Sequence, residues 1–563
     1  MNIIINEIPP ETHGQWIGID LEISGMNEKQ LHRPTSGKFA LMSIAIGENV
    51  YVINEEKNIM PAMSRISDNW HIFHHAKFDI THLRRWTNYP PRNKVWDTML
   101  IERILFGGYY DSVALNDLTR RYLFTHMKKE LQKSFVGSEI TSEQIHYAAL
   151  DAYVLPKIVE EQKKLMNRSD FNVWMEIDRP AMFAFMDFQG FVINVDAWKD
   201  LAIRNKIRKE QAENELPFNP NSNGIKGQAV KFYRDNGFPN INNNQEETLE
   251  KFIEKYPDTL AAEMAQKVLV CKKYGTRLSK YGLHFIEDFL EKDETGNDMI
   301  YADYWVTGAE TGRTSCSDPN MQNIPVRDTK EFRECFIARP NHKLLIADYS
   351  AQEPFISAYL SQDPALLDVC NSGKDIYILM AKLMYGVDIT KQDPMRARMK
   401  AVVLGGNYGQ SVQGLARKEG ISIAEAEEVI AKRRKAFPRY DEYMRVQAKS
   451  RNKVKTVAGR TIHLNHYSGQ AERNALNAPI QGSAGDCMKK ALGNIHKNWV
   501  NNFPILFDVV GYIHDELILD VPIGWEIPVR DYVQKTMVDT ADAMFPGLHF
   551  KADVSIGDTW ADK

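Results

Sequence analysis

Between Val509 and Leu519 the chain runs Val509-Val510-Gly511-Tyr512-Ile513-His514-Asp515-Glu516-Leu517-Ile518-Leu519, two apolar arms around a polar triplet. Such a pattern reads as a β-hairpin that presents Asp515 at its turn. Far upstream, Leu344-Leu345-Ile346-Ala347 leads into Asp348-Tyr349-Ser350-Ala351-Gln352-Glu353-Pro354. That run reads as a buried strand that ends by pushing one carboxylate into a cleft. No other feature limits the fold as strongly, because it asks for strands from distant segments to lie side by side. Two aspartates on neighbouring strand ends can hold two Mg²⁺ ions, the arrangement that in-line phosphoryl transfer requires. Singly each pattern is weak, since an aspartate there is more often a turn or capping residue.

The stretch between them narrows the choice. Arg396, Lys400, Leu404 and Tyr408 recur every four residues, so on a helix they form one stripe. It is about 18 Å long at helical rise, similar to a nucleotide from phosphate to base. Cations at its start and an aromatic at its end suit a triphosphate and a base. Without context, a solvated basic face followed by core residues is the better reading of the stripe.

Together these stretches resemble motifs A, B and C of family A DNA polymerases, the group of bacterial DNA polymerase I. Motif A is Asp348-Tyr349-Ser350 with Gln352 and Glu353, motif B is Arg396, Lys400 and Tyr408-Gly409, and motif C is His514-Asp515-Glu516. The resemblance implies that Asp348 and Asp515 bind two Mg²⁺, with Mn²⁺ as a substitute, and that Glu516 belongs to the catalytic set. It makes Arg396 and Lys400 the triphosphate ligands, with Lys400 a general acid on pyrophosphate. Tyr408 becomes the floor for the nascent pair, and Glu353 the carboxylate that excludes a 2′-hydroxyl. Leu404 stands where the family has Phe or Tyr, Tyr377 where it often has His, and Phe355 where Arg is common. All three departures bear on nucleotide binding rather than on the chemistry.

A chain of 563 residues makes several domains. Net charge is −4, so bulk charge gives no hint of nucleic acid, but residues 396–460 hold 16 Lys/Arg against 6 Asp/Glu. A basic segment in a near-neutral chain suits a phosphate-contacting surface. The five cysteines are scattered without a CxxC pair, which points to reduced thiols in a cytoplasmic protein and to no zinc site. No stretch has the length and apolarity of a membrane span, and Met1-Asn2-Ile3-Ile4-Ile5 lacks the basic start of a signal peptide.

Near the N-terminus, Ile17, Ile19, Leu21 and Ile23 alternate with Gly18, Asp20 and Glu22. On a strand one face is core and the other carries two carboxylates. Paired acids there share a cation or face water, as on an edge strand. Asp79 follows the apolar pair Ile72-Phe73, and Tyr147 and Asp151 lie at i and i+4 on one helix face. A phenol so placed can orient water beside a metal ligand. Asp20, Glu22, Asp79 and Asp151 with Tyr147 resemble the four acids and tyrosine of DEDD-type 3′→5′ proofreading exonucleases, and Trp96-Asp97-Thr98 is similar to a recurrent stretch of that domain. His75 stands where the family usually has Asn, a departure that touches contacts to the DNA terminus.

Residues 175–305 are helical in tone and lack acid clusters, and Lys272–Tyr281 mixes cations with aromatics as a DNA-backbone contact would. By position this is a thumb, with no large insertion of the kind that recruits thioredoxin in some phage polymerases. Thr311-Gly312-Arg313-Thr314-Ser315 and Pro319-Asn320-Met321-Gln322-Asn323 resemble the family's T-G-R-x-S and P-N-x-Q-N stretches. That resemblance assigns Arg313, Asn320 and Gln322 to primer–template contact. Gln470–Gly482 resembles the family's next helix. On it Arg473, Asn477 and Gln481 recur every four residues and suit minor-groove acceptors without sequence preference, although outside this context a polar helix face is the better reading. The resemblance adds His514 as a DNA contact.

The expected architecture is multidomain α/β and α+β: an RNase H-like exonuclease (1–170), a thumb (171–310), a palm (311–355 and 471–563) and fingers (356–470). The resemblance implies template-directed DNA synthesis with proofreading, primer–template DNA and dNTPs as partners, and no membrane. It begins almost at residue 1, leaves no room for a 5′-nuclease domain, and so suggests a phage replicase, with helicase, primase and single-strand-binding protein as further candidate partners. A single-subunit RNA polymerase would lack Glu353 in this role and the Asp20/Glu22 pair. A non-catalytic scaffold would be expected to lose acids, and all six are present.

Overall fold

The period-two alternation at the start of the chain becomes a sheet. Strands β1 (Asn2–Ile5), β2 (Trp16–Ser24), β3 (Lys38–Ile46), β4 (Asn49–Ile53), β5 (Trp70–Phe73) and β6 (Val95–Asp97) lie in the order β1-β4-β3-β2-β5-β6. β2 is antiparallel to β3 and parallel to β5. It is thus an interior strand, and Ile17 and Ile19 on its apolar face are fully buried. Helices α1 (Ala76–Leu83), α2 (Thr98–Phe106) and α3 (Ser142–Leu165) follow the strands. α3 starts with a reciprocal cap, in which Thr141 accepts from Gln144 N and Gln144 returns the bond to Thr141 N.

The computed structural model describes residues 1–24, 37–88, 94–127, 135, 140–326, 329–464, 471–502 and 507–563, with the backbone alone at 404 and 498–502. The chain divides into two units. One takes Met1–Gln189, Ala302–Gln322 and Leu345–Ile556, the other Gly190–Tyr301, Asn323–Leu344 and Gly557–Lys563. Residues 171–189, assigned above to the thumb, belong to the larger unit, because Asp178 there is bound by Arg460 and Lys489.

In the smaller unit, helices Val195–Asn214 and Leu260–Tyr281 accompany a four-stranded sheet. Its apolar cluster includes Phe218, Tyr233, Phe238 and Leu249. Within the Lys272–Tyr281 stretch, Arg277 is buried and Lys272 bonds the Asn244 carbonyl. Those two cations therefore serve the interior of this unit.

The second sheet of the larger unit holds β7 (His342–Tyr349), β8 (Asp508–Ile513), β9 (Glu516–Pro522) and β10 (Ala552–Gly557) in the order β8-β9-β7-β10. Between β7 and β8 run α4 (Gln352–Ser361), α5 (Ile376–Tyr385), α6 (Pro394–Asn407) and the long α7 (Ala471–Asn502). Leu344 to Ala347 are buried, as the apolar run requires. The β8–β9 pairing closes at Ile513 opposite Glu516, so His514 and Asp515 alone make the turn. His514 has φ 59°, a left-handed backbone costly for a residue with a Cβ.

Candidate active sites

The first acidic site forms where α3 crosses β2. Gly18 shares its strand face with Asp20 and Glu22, and a Cβ on it would lie 2.1 Å from the Ala152 carbonyl oxygen. Only a glycine lets α3 come this close, and α3 carries Asp151 in the preceding residue. Asp20, Glu22 and Asp151 consequently bring carboxylate oxygens within 4.8 Å of one another. Asp20 Oδ2 and Asp151 Oδ1 are buried and have no hydrogen-bond partner among the described residues. Burial pushes the Asp20 carboxyl up to about 7. It pushes Glu22 well above its ordinary range too, with the charges of Asp20, Asp151 and Asp79 adding to the rise. Clustered oxygens that repel and lack donors fit a divalent cation.

Asp79, expected as a fourth ligand, is buried beside this trio; its Oδ1 accepts from Leu21 N at 3.1 Å. Burial and the neighbouring Asp20 raise its carboxyl as well. Tyr147 donates to Asp151, one helical turn on. Burial and then the Asp151 and Glu22 charges keep its phenol protonated far above the ordinary range.

The second site gathers at the ends of β7 and the β8–β9 hairpin. Tyr349 N donates to Asp515 O at 3.4 Å, which sets the turn against the strand end that carries Asp348. Asp348 is half-buried and Asp515 and His514 are exposed, whereas Glu516 is buried beneath the turn. Around these acids, segments far apart in sequence meet. Arg313 Nη2 donates to Glu353 Oε1 at 3.3 Å, and Tyr408 OH donates to the same oxygen at 3.3 Å. Gln481 Nε2 in turn donates to Tyr408 OH at 2.7 Å. Burial pushes the Glu353 carboxyl up, opposed by Arg313 and the Tyr408 hydroxyl and reinforced by Asp515.

From a further segment, α6 presents Arg396 and an exposed Lys400. Arg396 Nε donates to Asp375 Oδ2 at 2.9 Å, and its guanidinium lies 5.6 Å from the centre of the Tyr377 ring. Tyr377 is buried, as is Gln352 in the first turn of α4. The helix ends at Asn407, so Tyr408 stands one residue beyond it, with its N–H on Gly405 O at 3.2 Å. The Leu404 side chain lies outside the described residues. Arg473 and Asn320 are exposed; Asn477 and Gln322 are half-buried, the latter donating to Thr314 Oγ1 at 3.2 Å.

A family model described as DNA polymerase family A matches residues 202–562, and one described as 3′-5′ exonuclease matches residues 11–167. The chain belongs to DNA polymerase family A. DNA polymerase I of Aquifex aeolicus is 26% identical over 577 residues, covering 93% of this chain and 94% of that protein. DNA polymerase I of Pseudomonas aeruginosa is 29% identical over 521 residues, covering 86% of this chain but 56% of the relative. The fold matches the POL domain of Pol1 from M. smegmatis, solved with DNA primer-template and dNTP, at a TM-score of 0.83 and 22% identity, over 99% of this chain and 100% of that one.

Two residues of this family A chain do positional work that its sequence pattern leaves hidden. Asp97, fully buried, accepts from His75 N, Ala76 N, Met99 N and Leu100 N at 2.8 to 3.2 Å. It thereby fixes the start of α1, which carries Asp79. Asn407 Oδ1 accepts from Ser357 Oγ at 3.0 Å and Tyr440 OH at 2.7 Å. This pins the end of α6 to α4, and so Tyr408 to Glu353. A lone amide directly after the Val402–Gly406 run, which has no polar side chain, was the available signal.

Proposed function

We propose that this chain extends DNA primers on a template from dNTPs at the Asp348/Asp515 site and removes 3′-terminal nucleotides at the Asp20/Glu22/Asp79/Asp151 site. The observation that carries the reading is the Arg313–Glu353–Tyr408–Gln481 chain of hydrogen bonds beside the two strand-end aspartates. It closes one surface from four separate segments, with a carboxylate and an aromatic ring at its centre. Divalent cations held by the acids, Mg²⁺ or Mn²⁺, supply charge neutralisation for in-line attack at phosphorus.

The side chains do the rest. Arg396 and Lys400 hold the triphosphate and offset the charge that develops on it, and the exposed Lys400 ammonium delivers a proton to the departing pyrophosphate. Tyr408 offers its ring to the nascent base pair, while Glu353, held from two sides, occupies the space a 2′-hydroxyl would need. Arg313, Asn320, Gln322, Arg473, Asn477, Gln481 and His514 are the proposed contacts to primer and template, and Gln352 and Tyr377 shape the nucleotide pocket from within. At the other site the protonated Tyr147 hydroxyl orients the attacking water.

The test is an extension and trimming assay on a labelled primer–template. Asp515→Asn removes extension and spares trimming; Asp20→Ala with Glu22→Ala does the reverse. Loss of both activities from either change, in protein that stays folded, overturns the two-site reading.

A further inference from the structure

Four charged side chains are buried together behind the loop that carries Arg313. Arg460 is 1% exposed, and Asp178, Asp486 and Lys489 are fully buried. Arg460 Nη1 and Nη2 donate to the two Asp178 oxygens at 2.9 and 2.7 Å, and its Nε donates to Asp486 Oδ1 at 2.8 Å. Lys489 Nζ donates to Asp178 Oδ1 and, at 2.9 Å, to the Gly312 carbonyl. Thr456 Oγ1 completes Asp486 at 2.8 Å. Two cations against two anions leave the set neutral. Apolar residues of the same volume often serve stability as well as such a cluster does, so stability alone does not account for it.

Both cations touch one residue. Gly312 has φ +79°, and a Cβ on it would lie 2.5 Å from Arg460 Cδ. The next residue is Arg313, which bonds Gln481 O through Nε at 3.3 Å and Glu353 through Nη2. A path of direct contacts thus runs from the buried cluster through the Gly312 backbone to the carboxylate beside the nucleotide site.

We infer that Asp178, Arg460, Asp486 and Lys489 form a positioning device for nucleotide selection, which fixes the Gly312 backbone and thereby aims Arg313 at Glu353. The inference rests on the proposed role of Glu353 as the group that excludes a 2′-hydroxyl. None of the four touches substrate; they act through Arg313.

The test uses Asp178→Asn with Lys489→Met, which removes one charge of each sign and leaves the Arg460–Asp486 pair. It is made in an Asp20→Ala, Glu22→Ala background so that excision does not mask insertion. The readout is the ratio of kcat/KM for ribonucleotide over deoxyribonucleotide, which does not depend on the fraction of enzyme that is folded. The ratio should rise several-fold, and the same pair of changes should leave it unmoved when Arg313→Ala is already present. An unchanged ratio, or an equal rise in the Arg313→Ala background, overturns the inference. Gly312→Ala, which displaces the loop from Arg460 without stranding a charge, gives the same readout should the paired variant fail to fold. Glu353→Ala is measured alongside. If it leaves the ratio unchanged, the sugar-exclusion reading falls and this inference with it; if it alone moves the ratio, only the positioning role falls.

Discussion

The imidazole of His75 lies flat against the indole of Trp305, with ring centroids 4.8 Å apart and planes 12° from parallel. His75 stands at the start of α1, in left-handed backbone with φ 73°. Trp305 ends the short strand Asp303–Trp305, which pairs with Ser315–Ser317 just beyond Arg313. Beside the stack, Lys77 forms an ion pair with Asp303 and donates to Tyr304 O at 2.7 Å. The helix that holds Asp79 is therefore fastened to the hairpin from whose loop Arg313 reaches Glu353.

This stack has a pH signature. Burial holds the His75 imidazole down to about 4, against an ordinary 6.5, with Lys77 and Arg103 acting in the same direction and Asp303 against it. The unfolded chain takes up the proton first, so this group removes stability as pH falls from 6.5 towards 4 and has no effect above that window. His75→Phe keeps a flat ring on Trp305 without the titration. Its unfolding free energy, followed by urea denaturation, should fall less steeply than the parent's across that range. Parallel slopes would mean that the folded protein already carries a charged imidazole.

A second prediction concerns the contact that assembles the acids proposed for trimming. Gly18→Ala places a methyl 2.1 Å from the Ala152 carbonyl and 3.0 Å from Pro156 Cδ, so α3 must retreat from β2. Overpacking of this kind costs about 1–3 kcal/mol. Asp151 moves away from Asp20 and Glu22, and trimming of a single-stranded 3′ end should drop by far more than extension. A variant that trims like the parent would show that α3 carries no geometric demand of the site.

The acids themselves make the metal-free protein less stable as pH rises from about 4 to about 7. Burial raises Asp20 to about 7 from 3.8. A carboxyl raised on folding contributes stability that is complete below about pH 4 and lost as pH rises through 7. Asp20→Asn should therefore flatten that decline in chelator. Added Mg²⁺ or Mn²⁺ should raise the Tm of the parent more than that of the variant. Equal shifts for both proteins would remove Asp20 from the ligand set.

Much of both sites was legible because their residues obey short periods. Asp20 and Glu22 alternate with isoleucines, Tyr147 and Asp151 are one turn apart, and Asp515 sits between two apolar arms; each pattern depends only on neighbours in the chain. The holding contacts were not legible, because each pairs residues whose proximity exists only in the folded chain. Arg460 meets Asp178 across 282 positions, and nothing local in either segment tells a buried ion pair from a surface charge. Gly18 is an intermediate case: its place on the acid face was visible, but the carbonyl it admits was not. The α6 stripe extended one residue too far, since two successive glycines before Asn407 let the helix end and turn Tyr408 towards Gln481.

The remaining prediction concerns how Arg396 would be made ready for the triphosphate proposed to bind it. Asp375 works twice: Oδ1 accepts from Tyr377 N at 3.0 Å and Ile378 N at 3.3 Å, capping α5, while Oδ2 accepts from Arg396 Nε at 2.9 Å. A guanidinium held through Nε keeps both terminal nitrogens available, which is the edge that bridges phosphate oxygens. Asp375→Asn retains an oxygen for the cap but gives up the charge that orients Arg396. The freed side chain must then be ordered by the nucleotide itself, at a cost of about 1 kcal/mol or somewhat more. KM for dNTP should rise by about fivefold to tenfold for that cost, while kcat changes little, because Arg396 once bound still faces the same phosphates. Arg396→Ala should lower kcat as well, and the two changes together should be no worse than Arg396→Ala alone. Steady-state single-nucleotide insertion by the three variants decides the matter. Additive effects would mean that Asp375 serves α5 alone and that Arg396 meets the triphosphate without its help.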